Sequence, residues 1–286
     1  MIDHNCFGVI GGDQRQIALA ESIAADGYIV YANGFDDVTF HKDVKKASLE
    51  LLCDQCGNII LPLPVSRDGK YLNVVYSKDK VLLDDAFAAM MQDKNVYGGM
   101  MNKLYATSEL WDGIRMYDYY NQPEFAVRNA VPTAEGAIEI AMREYGGTVN
   151  GSRCLVVGFG RIGKSLAWML RGIGANVTVS ARNQSDLAWI EAYGYHAAHT
   201  DRILEREQYD IIFNTVPALI FDRKRLSKVH PDTLIIDLAS APGGIDREIS
   251  EKLGIKTVQA LSLPGKVAPK TAGEIIKTTI YNMMEE

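Results

Sequence analysis

The chain of 286 residues is 47% hydrophobic and 23% charged, an ordinary balance for a globular protein that excludes disordered, collagen-like and coiled-coil chains. Its 30 basic and 36 acidic side chains give a formal net charge of -6, and no run of Lys and Arg offers a surface for nucleic acid. No segment approaches the roughly 18 uninterrupted apolar residues of a membrane helix, and the start lacks a signal-peptide pattern. We expect a cytoplasmic protein that binds neither nucleic acid nor membrane.

The first half of the chain alternates short apolar runs with helical patterns. The apolar runs predict strands over 6–10, 28–32, 58–63, 73–76 and 96–100. Helical periodicity predicts helices over 14–25, 43–56 and 84–91, whereas 108–124 predicts only a strand and turns. Such alternation indicates a parallel sheet covered on both faces.

Cys53 and Cys56 form a C-x-x-C pair that could bind a metal or act in redox chemistry. Both fall on the apolar face of the helix predicted over 43–56, four and seven residues after Leu49. No second pair lies nearby to complete four zinc ligands. We therefore interpret the two cysteines as buried core thiols and predict no metal site.

A helix over 134–145, with Thr133 as its N-cap, is predicted to carry the domain junction. The second half then predicts six strands, over 153–157, 176–181, 195–198, 210–215, 233–238 and 256–261. Helices are predicted between them over 161–173, 185–193, 223–229 and 246–253, which is typical of a doubly wound nucleotide-binding domain. We predict domains over 1–132 and 133–270, with a last helix over 271–286 that returns to the first domain.

The strongest motif, G-x-G-x-x-G, follows the first strand of the second half and comprises Gly158, Phe159, Gly160, Arg161, Ile162 and Gly163. Because a strand precedes it and a helix follows, it predicts a dinucleotide site. Gly158 permits the tight turn, Gly160 lets backbone N–H groups approach a pyrophosphate, and Gly163 allows close packing of helix and strand. The alternative is a glycine-rich turn without a ligand.

The end of the next strand predicts NADP(H) rather than NAD(H). An NAD enzyme places an acid there, whereas this chain has Ser180 and Arg182, and its first acid is Asp186. A hydroxyl and a guanidinium can bind a 2′-phosphate that a carboxylate would repel. Arg182 could instead lie on the solvated surface.

Three more loops are candidates for ligand contacts because they follow predicted strands of parallel sheets. Asn214, Thr215, Val216 and Pro217 suit a turn over the ribose of the nicotinamide half, although a structural turn would look similar. In the first domain, Gly11, Gly12 and Arg15 could bind a small anion, or form a simple turn with Asp13 as N-cap. The strand before Pro62 ends there, and its end, with Pro64 and Ser66, would face a cleft between the domains if the domains pack with their carboxyl edges together.

Several of these segments together resemble the family of the dipicolinate synthase A subunit over nearly the whole chain. They are the turn at 11–16, the segments 61–66, 129–136 and 214–218, and Leu-Pro-Gly-Lys-Val-Ala-Pro-Lys-Thr-Ala-Gly at 263–273, which is the most specific. The resemblance implies a flavodoxin-like domain joined to an NADP-binding Rossmann domain. It also implies oxidation of a dihydrodipicolinate-level precursor to dipicolinate in the mother cell of a sporulating bacterium, alongside a separate flavoprotein, the B subunit of dipicolinate synthase. We further expect an oligomer.

With this resemblance we expect a carboxylate clamp for a small dicarboxylate substrate, because buried carboxylates need cationic or N–H partners. The expected substrate contacts are Gly11, Gly12, Arg15, Pro64, Ser66, Thr133, Lys270 and Thr271. Lys266 and Asp237 are the candidates for proton transfer. The alternative is that Lys266 and Lys270 are solvated lysines that flank a proline-rich turn.

Two other functions stay open from the sequence alone, since a fold does not determine a function. One is another NADP-dependent dehydrogenase of a small carboxylic acid, of the shikimate or hydroxy-acid type, although the Arg/Glu/His trio of the hydroxy-acid enzymes is not evident. The other is a non-catalytic NADP-binding subunit of a complex, which the lack of an obvious acid–base residue favours.

Overall fold

Two parallel sheets of six strands organise the chain, in two units. The computed structural model describes residues 3–205 and 207–285. Met1 and Ile2, part of the start that we interpret as lacking a signal peptide, lie outside the described residues. The first unit comprises Met1–Arg128 and Ala268–Glu286, and the second comprises Asn129–Val267.

The first unit contains a sheet whose strands are all parallel. The strands are β1 (Asp3–Ile10), β2 (Ile29–Asn33), β3 (Val44–Lys46), β4 (Cys56–Ile60), β5 (Asn95–Gly98) and β6 (Arg115–Asp118). The helices are α1 (Gln14–Ala25), α2 (Leu49–Gln55), α3 (Asp85–Ala89), α4 (Asn102–Tyr105) and the start of α5 (Pro123–Glu144). The strand order β3-β2-β1-β4-β5-β6 reverses between β1 and β4. Alternate residues of β1 pack into two different hydrophobic clusters, so both faces of the sheet are covered.

The second unit repeats this architecture with the order β12-β11-β10-β7-β8-β9. Its strands are β7 (Arg153–Val157), β8 (Asn176–Ala181), β9 (His196–His199), β10 (Ile211–Asn214), β11 (Leu234–Asp237) and β12 (Thr257–Gln259). Its helices are α6 (Arg161–Ile173), α7 (Gln184–Ala192), α8 (Arg223–Leu226), α9 (Arg247–Lys252) and α10 (Leu263–Val267). Two doubly wound parallel sheets are thus confirmed. The order reverses between β7 and β10, the point at which such sheets bind ligands.

The prediction of a single helix over 43–56 is wrong at both ends. Val44–Lys46 forms the edge strand β3, and Ser48 caps the short helix α2, its side chain accepting a hydrogen bond from the Leu51 N–H. Cys56 begins β4, a strand in which every residue is buried. The predicted strand over 73–76 makes only isolated bridges, which pair Gly12 with Val74 and Phe35 with Tyr76.

The interpretation of the C-x-x-C cysteines as core thiols is confirmed, because both side chains are buried. Burial raises the pKa of Cys53 to about 11. A thiol with a raised pKa stays protonated at neutral pH and is a poor nucleophile and metal ligand. Within residues 3–205 and 207–285, no group of three or more His, Cys, Asp or Glu side chains could hold a metal ion.

The prediction that Thr133 caps a helix is also wrong. Thr133 lies in the middle of α5, directly after Pro132, and its hydroxyl donates to the carbonyl of Asn129 at 2.7 Å. Proline removes one helical hydrogen bond, but the buried Ala134 and Ala137 continue the packed face of the helix. The helix therefore runs through the position where the sequence pattern indicated a start.

The last helix, α11 (Pro269–Glu285), returns to the first unit and packs against α1, as predicted. Ile275, Ile276 and Ile280 enter the same hydrophobic cluster as Leu19 and Ile23 of α1. Over the described residues, none of the helices is both long and apolar enough to cross a membrane.

Replacing Gly273 by alanine is expected to lower the free energy of unfolding by about 1–3 kcal/mol. A Cβ atom there would lie 2.7 Å from the Arg15 carbonyl oxygen and 2.8 Å from the Leu19 nitrogen, so α11 would have to move away from α1. Urea unfolding measures the change. Gly113→Ala is the control, because a Cβ at Gly113 meets nothing within 4 Å. Equal stability of the two variants would contradict close packing of α11 on α1.

Candidate functional site

A cavity of about 320 Å³ lies at the carboxyl end of the second sheet, beside the reversal of strand order. It is lined by the loops that follow β7, β8 and β10 and by Thr200, which follows β9. Seven of the predicted cofactor residues line it together: Gly158, Phe159, Gly160, Arg182, Thr215, Val216 and Pro217. A site shared by loops from both halves of the sheet is the arrangement that dinucleotides require.

The three glycines of the motif have the geometry that a pyrophosphate needs. Gly158 has a φ of 101°, in the left-handed region that favours glycine. A Cβ on Gly163 would lie 2.0 Å from the Gly158 carbonyl oxygen, so helix and loop meet there. At Gly160, the N-cap of α6, a Cβ would meet nothing within 4 Å, which leaves space for a ligand above the helix N-terminus.

The end of β8 presents one of the two residues predicted to select NADP(H). Arg182 is exposed and lines the cavity. Ser180 is fully buried, and the Thr200 hydroxyl donates to its oxygen at 3.4 Å. Asp186 is held by Asn183, whose Nδ2 donates to the Asp186 carboxylate at 2.7 Å. The positively charged group at this edge is therefore Arg182.

Sequence reasoning did not assign Asn183, Asp186 or Thr200 to the site, although all three line the cavity. The Asn183 side chain caps α7 by accepting from the Asp186 N–H at 2.7 Å. An Asn three residues before an Asp at a predicted helix start is a capping signal that could have placed both residues at this loop. Thr200 follows β9 and has no comparable local signal.

The loops after β10 and β11 are joined by a buried polar pair. Asn214 Nδ2 donates to Asp237 Oδ1 at 2.8 Å and to the Val216 carbonyl at 3.1 Å. Asp237 is 2% exposed and also accepts from the backbone N–H groups of Ala239 and Gly244, at 3.2 and 3.1 Å. Both of its oxygens therefore accept hydrogen bonds from the protein.

In the first unit, the residues predicted to bind an anion already have partners. Gly11 N–H donates to Asn33 and Gly12 N–H donates to Asn73, both at 2.8 Å. Asp13 is the N-cap of α1, which agrees with the alternative interpretation of this segment as a simple turn. Arg15 is only 9% exposed.

Arg15 is held by two acceptors. Its Nε and Nη2 donate to the Asp13 carboxylate at 2.9 and 2.8 Å, and Nη2 also donates to the Leu63 carbonyl. Burial acts to raise the pKa of Asp13, but the hydrogen bonds and charge of Arg15 outweigh it, so that the pKa of this carboxyl lies below its ordinary value. The carboxylate and the guanidinium therefore stabilise each other at neutral pH.

The other predicted substrate and catalytic residues occupy varied positions. The Ser66 hydroxyl is buried and donates to the Tyr71 carbonyl at 2.6 Å, and Pro64 precedes it on the loop after β4. Lys266 is exposed on α10 of the second unit, whereas Lys270 and Thr271 are exposed in the first turn of α11 in the first unit. The substrate contacts expected of these residues stay predictions. The same holds for proton transfer by Lys266 or Asp237.

Comparison with known proteins assigns both units to described families. Residues 6–120 match the N-terminal domain of the dipicolinate synthase A subunit, and residues 128–250 match the NAD binding domain of D-isomer specific 2-hydroxyacid dehydrogenases. The chain is 35% identical to the dipicolinate synthase A subunit of Bacillus subtilis (strain 168) over 284 residues, which is 98% of this chain and 96% of that protein. The chain belongs to the family of the dipicolinate synthase A subunit.

Solved structures agree with this membership. The crystal structure of the dipicolinate synthase A subunit from Bacillus halodurans matches 100% of this chain and 99% of that chain, with a TM-score of 0.88 at 29% identity. Its counterpart from Bacillus subtilis matches with a TM-score of 0.87 at 32% identity, over 100% and 97% of the two chains. A transhydrogenase from Sinorhizobium meliloti, at 13% identity and a TM-score of 0.71, covers 97% of this chain and 93% of its own and shares the fold.

The family and its NAD-binding domain establish the general chemistry. The chain is an NAD(P)-dependent oxidoreductase, and the G-x-G-x-x-G loop of the second unit lies within the matched NAD-binding region. The predicted family is thereby confirmed, and so is a nicotinamide cofactor, whereas the choice of NADP(H) over NAD(H) stays a prediction.

Proposed function

We propose that this protein uses NADP+ to oxidise a dihydrodipicolinate-level precursor to dipicolinate, a spore component, in the mother cell. The observation that carries the proposal is 35% identity to the A subunit of dipicolinate synthase over 98% of the chain, together with an open dinucleotide cradle at Gly160. Loss of a hydride and a proton from a dihydropyridine gives an aromatic ring, so the oxidation is strongly favourable. It depends on positioning more than on a strong nucleophile.

A bound nicotinamide cofactor would supply the hydride acceptor. The chain holds the cofactor through the loop from Gly158 to Gly163 and through Arg182, whose charge suits a 2′-phosphate. The backbone of Val216 is held by Asn214 on the side of the sheet that serves the nicotinamide half. The substrate is a small dicarboxylate, for which Lys266 of the second unit offers an exposed donor. Lys266 is the candidate for taking up the released proton, as the neutral amine, and passing it to the solvent around its exposed side chain.

A flavoprotein, the B subunit of dipicolinate synthase, is the proposed partner, and the protein is proposed to act as an oligomer. The experiment is dipicolinate formation, followed by absorbance, from the precursor and NADP+ with this chain, with the partner, and with both. Stoichiometric NADPH from this chain alone supports the proposal. Turnover by the partner alone, with no NADPH formed when this chain is added, would assign the chain a non-catalytic role.

Lys266→Met is expected to lower turnover of the dicarboxylate about tenfold or more, equivalent to ~1.4 kcal/mol in the barrier. The change removes an exposed ammonium on α10 and keeps the length of the side chain. Steady-state kinetics measure turnover, and calorimetry should show unchanged NADPH affinity. Lys224→Met, on the exposed start of α8, is the matched control. Unchanged kinetics for Lys266→Met would show that Lys266 is a solvated surface lysine with no role in turnover.

A further inference from the structure

The buried pair formed by Asn214 and Asp237 links two loops at the carboxyl edge of the second sheet. Asp237 ends β11, and Asn214 ends the neighbouring strand β10, so their side chains meet across one strand spacing at 2.8 Å. The backbone N–H of Ala239 also donates to Asp237 Oδ1, and the backbone N–H of Gly244 donates to Asp237 Oδ2. A buried carboxylate persists only when its oxygens accept hydrogen bonds in this way.

Asn214 transmits this anchoring to the loop that lines the cofactor cavity. Its Nδ2 donates to the Val216 carbonyl at 3.1 Å, and its Oδ1 accepts from the Val216 N–H at 3.3 Å. One side-chain amide thus fixes both backbone groups of Val216, which together with Pro217 lines the cavity. The orientation of that amide is set by Asp237, since a carboxylate only accepts and so demands the NH₂ group.

The opposite loop approaches the pair too closely for any side chain at Gly244. A Cβ on Gly244 would lie 2.1 Å from Asn214 Nδ2 and 2.9 Å from the Val216 carbonyl oxygen. A Cβ on Gly243 would lie 3.1 Å from Asp237 Oδ2 at a φ of 87°. The two glycines therefore let the 239–244 loop close over the pair and exclude water from it.

The position of the pair in the sheet says which half of the cofactor it serves. In a doubly wound sheet, each half of three strands serves one mononucleotide, and here the glycine loop and Arg182 belong to the β7–β9 half. Asn214 and Asp237 end strands of the other half, which serves the nicotinamide mononucleotide. The pair therefore belongs to the half of the sheet opposite Arg182, which is the group expected to bind the adenine side.

We propose that Asn214 and Asp237 are positioning residues, which hold the 215–217 loop in the shape that receives the nicotinamide half of the cofactor. The inference rests on the proposed cofactor but not on the proposed substrate. It gives Asp237 a role different from proton transfer, because both carboxylate oxygens are engaged in holding the loop.

The test compares binding of NADPH with binding of adenosine 2′,5′-bisphosphate, which carries only the adenine half, by calorimetry. Asp237→Asn turns one acceptor into a donor that faces either Asn214 Nδ2 or the Gly244 N–H. We expect this variant to bind NADPH at least tenfold more weakly, whereas its affinity for the bisphosphate should fall less than twofold. Asn214→Ala removes both hydrogen bonds to Val216 without adding a donor, and it should show the same difference between NADPH and bisphosphate affinity. This variant replaces Asp237→Asn in the test if Asp237→Asn does not fold.

Asp210→Asn is the matched control. Asp210 precedes β10 at the opposite edge of the sheet, where its carboxylate accepts from the Arg153 N–H at 2.7 Å and from Arg153 Nη2 at 2.9 Å. This variant should leave both affinities within twofold. Equal losses of NADPH and bisphosphate in Asp237→Asn would show a general structural role and overturn the proposal. Normal NADPH affinity with a loss of turnover would overturn it in favour of chemistry at Asp237.

The same titrations distinguish this inference from the choice of cofactor. If the unmodified chain binds NADH more tightly than NADPH, the proposed cofactor is wrong, and the comparison is made with NADH and ADP. A tenfold loss of NADH affinity in Asp237→Asn, with unchanged ADP affinity, still supports the positioning role. Equal losses of NADH and ADP overturn it.

Discussion

Gly160→Val is expected to abolish binding of the nicotinamide cofactor while the protein stays folded. A side chain at the N-cap of α6 would occupy the space through which the pyrophosphate reaches the first N–H groups of the helix. Losing two such charge-assisted hydrogen bonds costs about 3–6 kcal/mol, which corresponds to a loss of affinity of about a hundredfold or more. Calorimetric titration with NADPH measures the change.

The fold should tolerate this substitution because a Cβ at Gly160 meets no atom within 4 Å and φ is −80° there. Circular dichroism and urea unfolding check that expectation. Gly146→Val is the control, since Gly146 is exposed in the same unit and its Cβ also meets nothing within 4 Å. Normal NADPH affinity in folded Gly160→Val would mean that the pyrophosphate binds elsewhere.

Arg182→Ala is expected to remove most of the preference for NADPH over NADH. The guanidinium is the exposed cation at the end of β8, and a charge-assisted contact with a 2′-phosphate contributes about 1.5–3 kcal/mol. The expected loss of NADPH affinity is therefore on the order of 10- to 150-fold, with little change for NADH. Paired titrations of the variant and the unmodified protein with both cofactors measure the ratio.

A second arginine provides the control for this experiment. Arg247, at the start of α9, is exposed and does not line the cavity, so Arg247→Ala should leave both affinities unchanged. Equal affinity of the unmodified protein for NADPH and NADH would contradict the assignment of NADP(H). A preserved NADPH preference in Arg182→Ala would move recognition of the phosphate to another group.

The sequence predicts the repeating architecture well because each unit is built from local patterns. The bounds of α1 and α6 agree with those expected from apolar periodicity and flanking turn residues. Prediction fails where tertiary pairing decides, as at Val44–Lys46, a short edge strand that exists only because β2 lies beside it. It also fails at Thr133, because packing carries α5 through Pro132 and Thr133, which locally signal a helix start.

The candidate site divides in the same way. The glycine loop is predictable because its three glycines perform their roles within six residues of chain. The occupied N–H groups of Gly11 and Gly12 are not, since their acceptors, Asn33 at the end of β2 and Asn73 in a loop, are distant in the sequence. The bond between Asn214 and Asp237 likewise joins the ends of two strands, and no local pattern indicates which of the two would orient the other.

The return of α11 to the first unit imposes an order on folding during synthesis. The apolar face of α1, with Leu19 and Ile23, is translated before the second unit, whereas Ile276 and Ile280, which cover that face, are translated after it. At about 5–20 residues per second, that interval lasts tens of seconds. The second unit is one continuous stretch of chain and can complete its core within the interval. Until α11 is translated, the apolar face of α1 lacks this partner, and we expect chaperones to bind the nascent chain there.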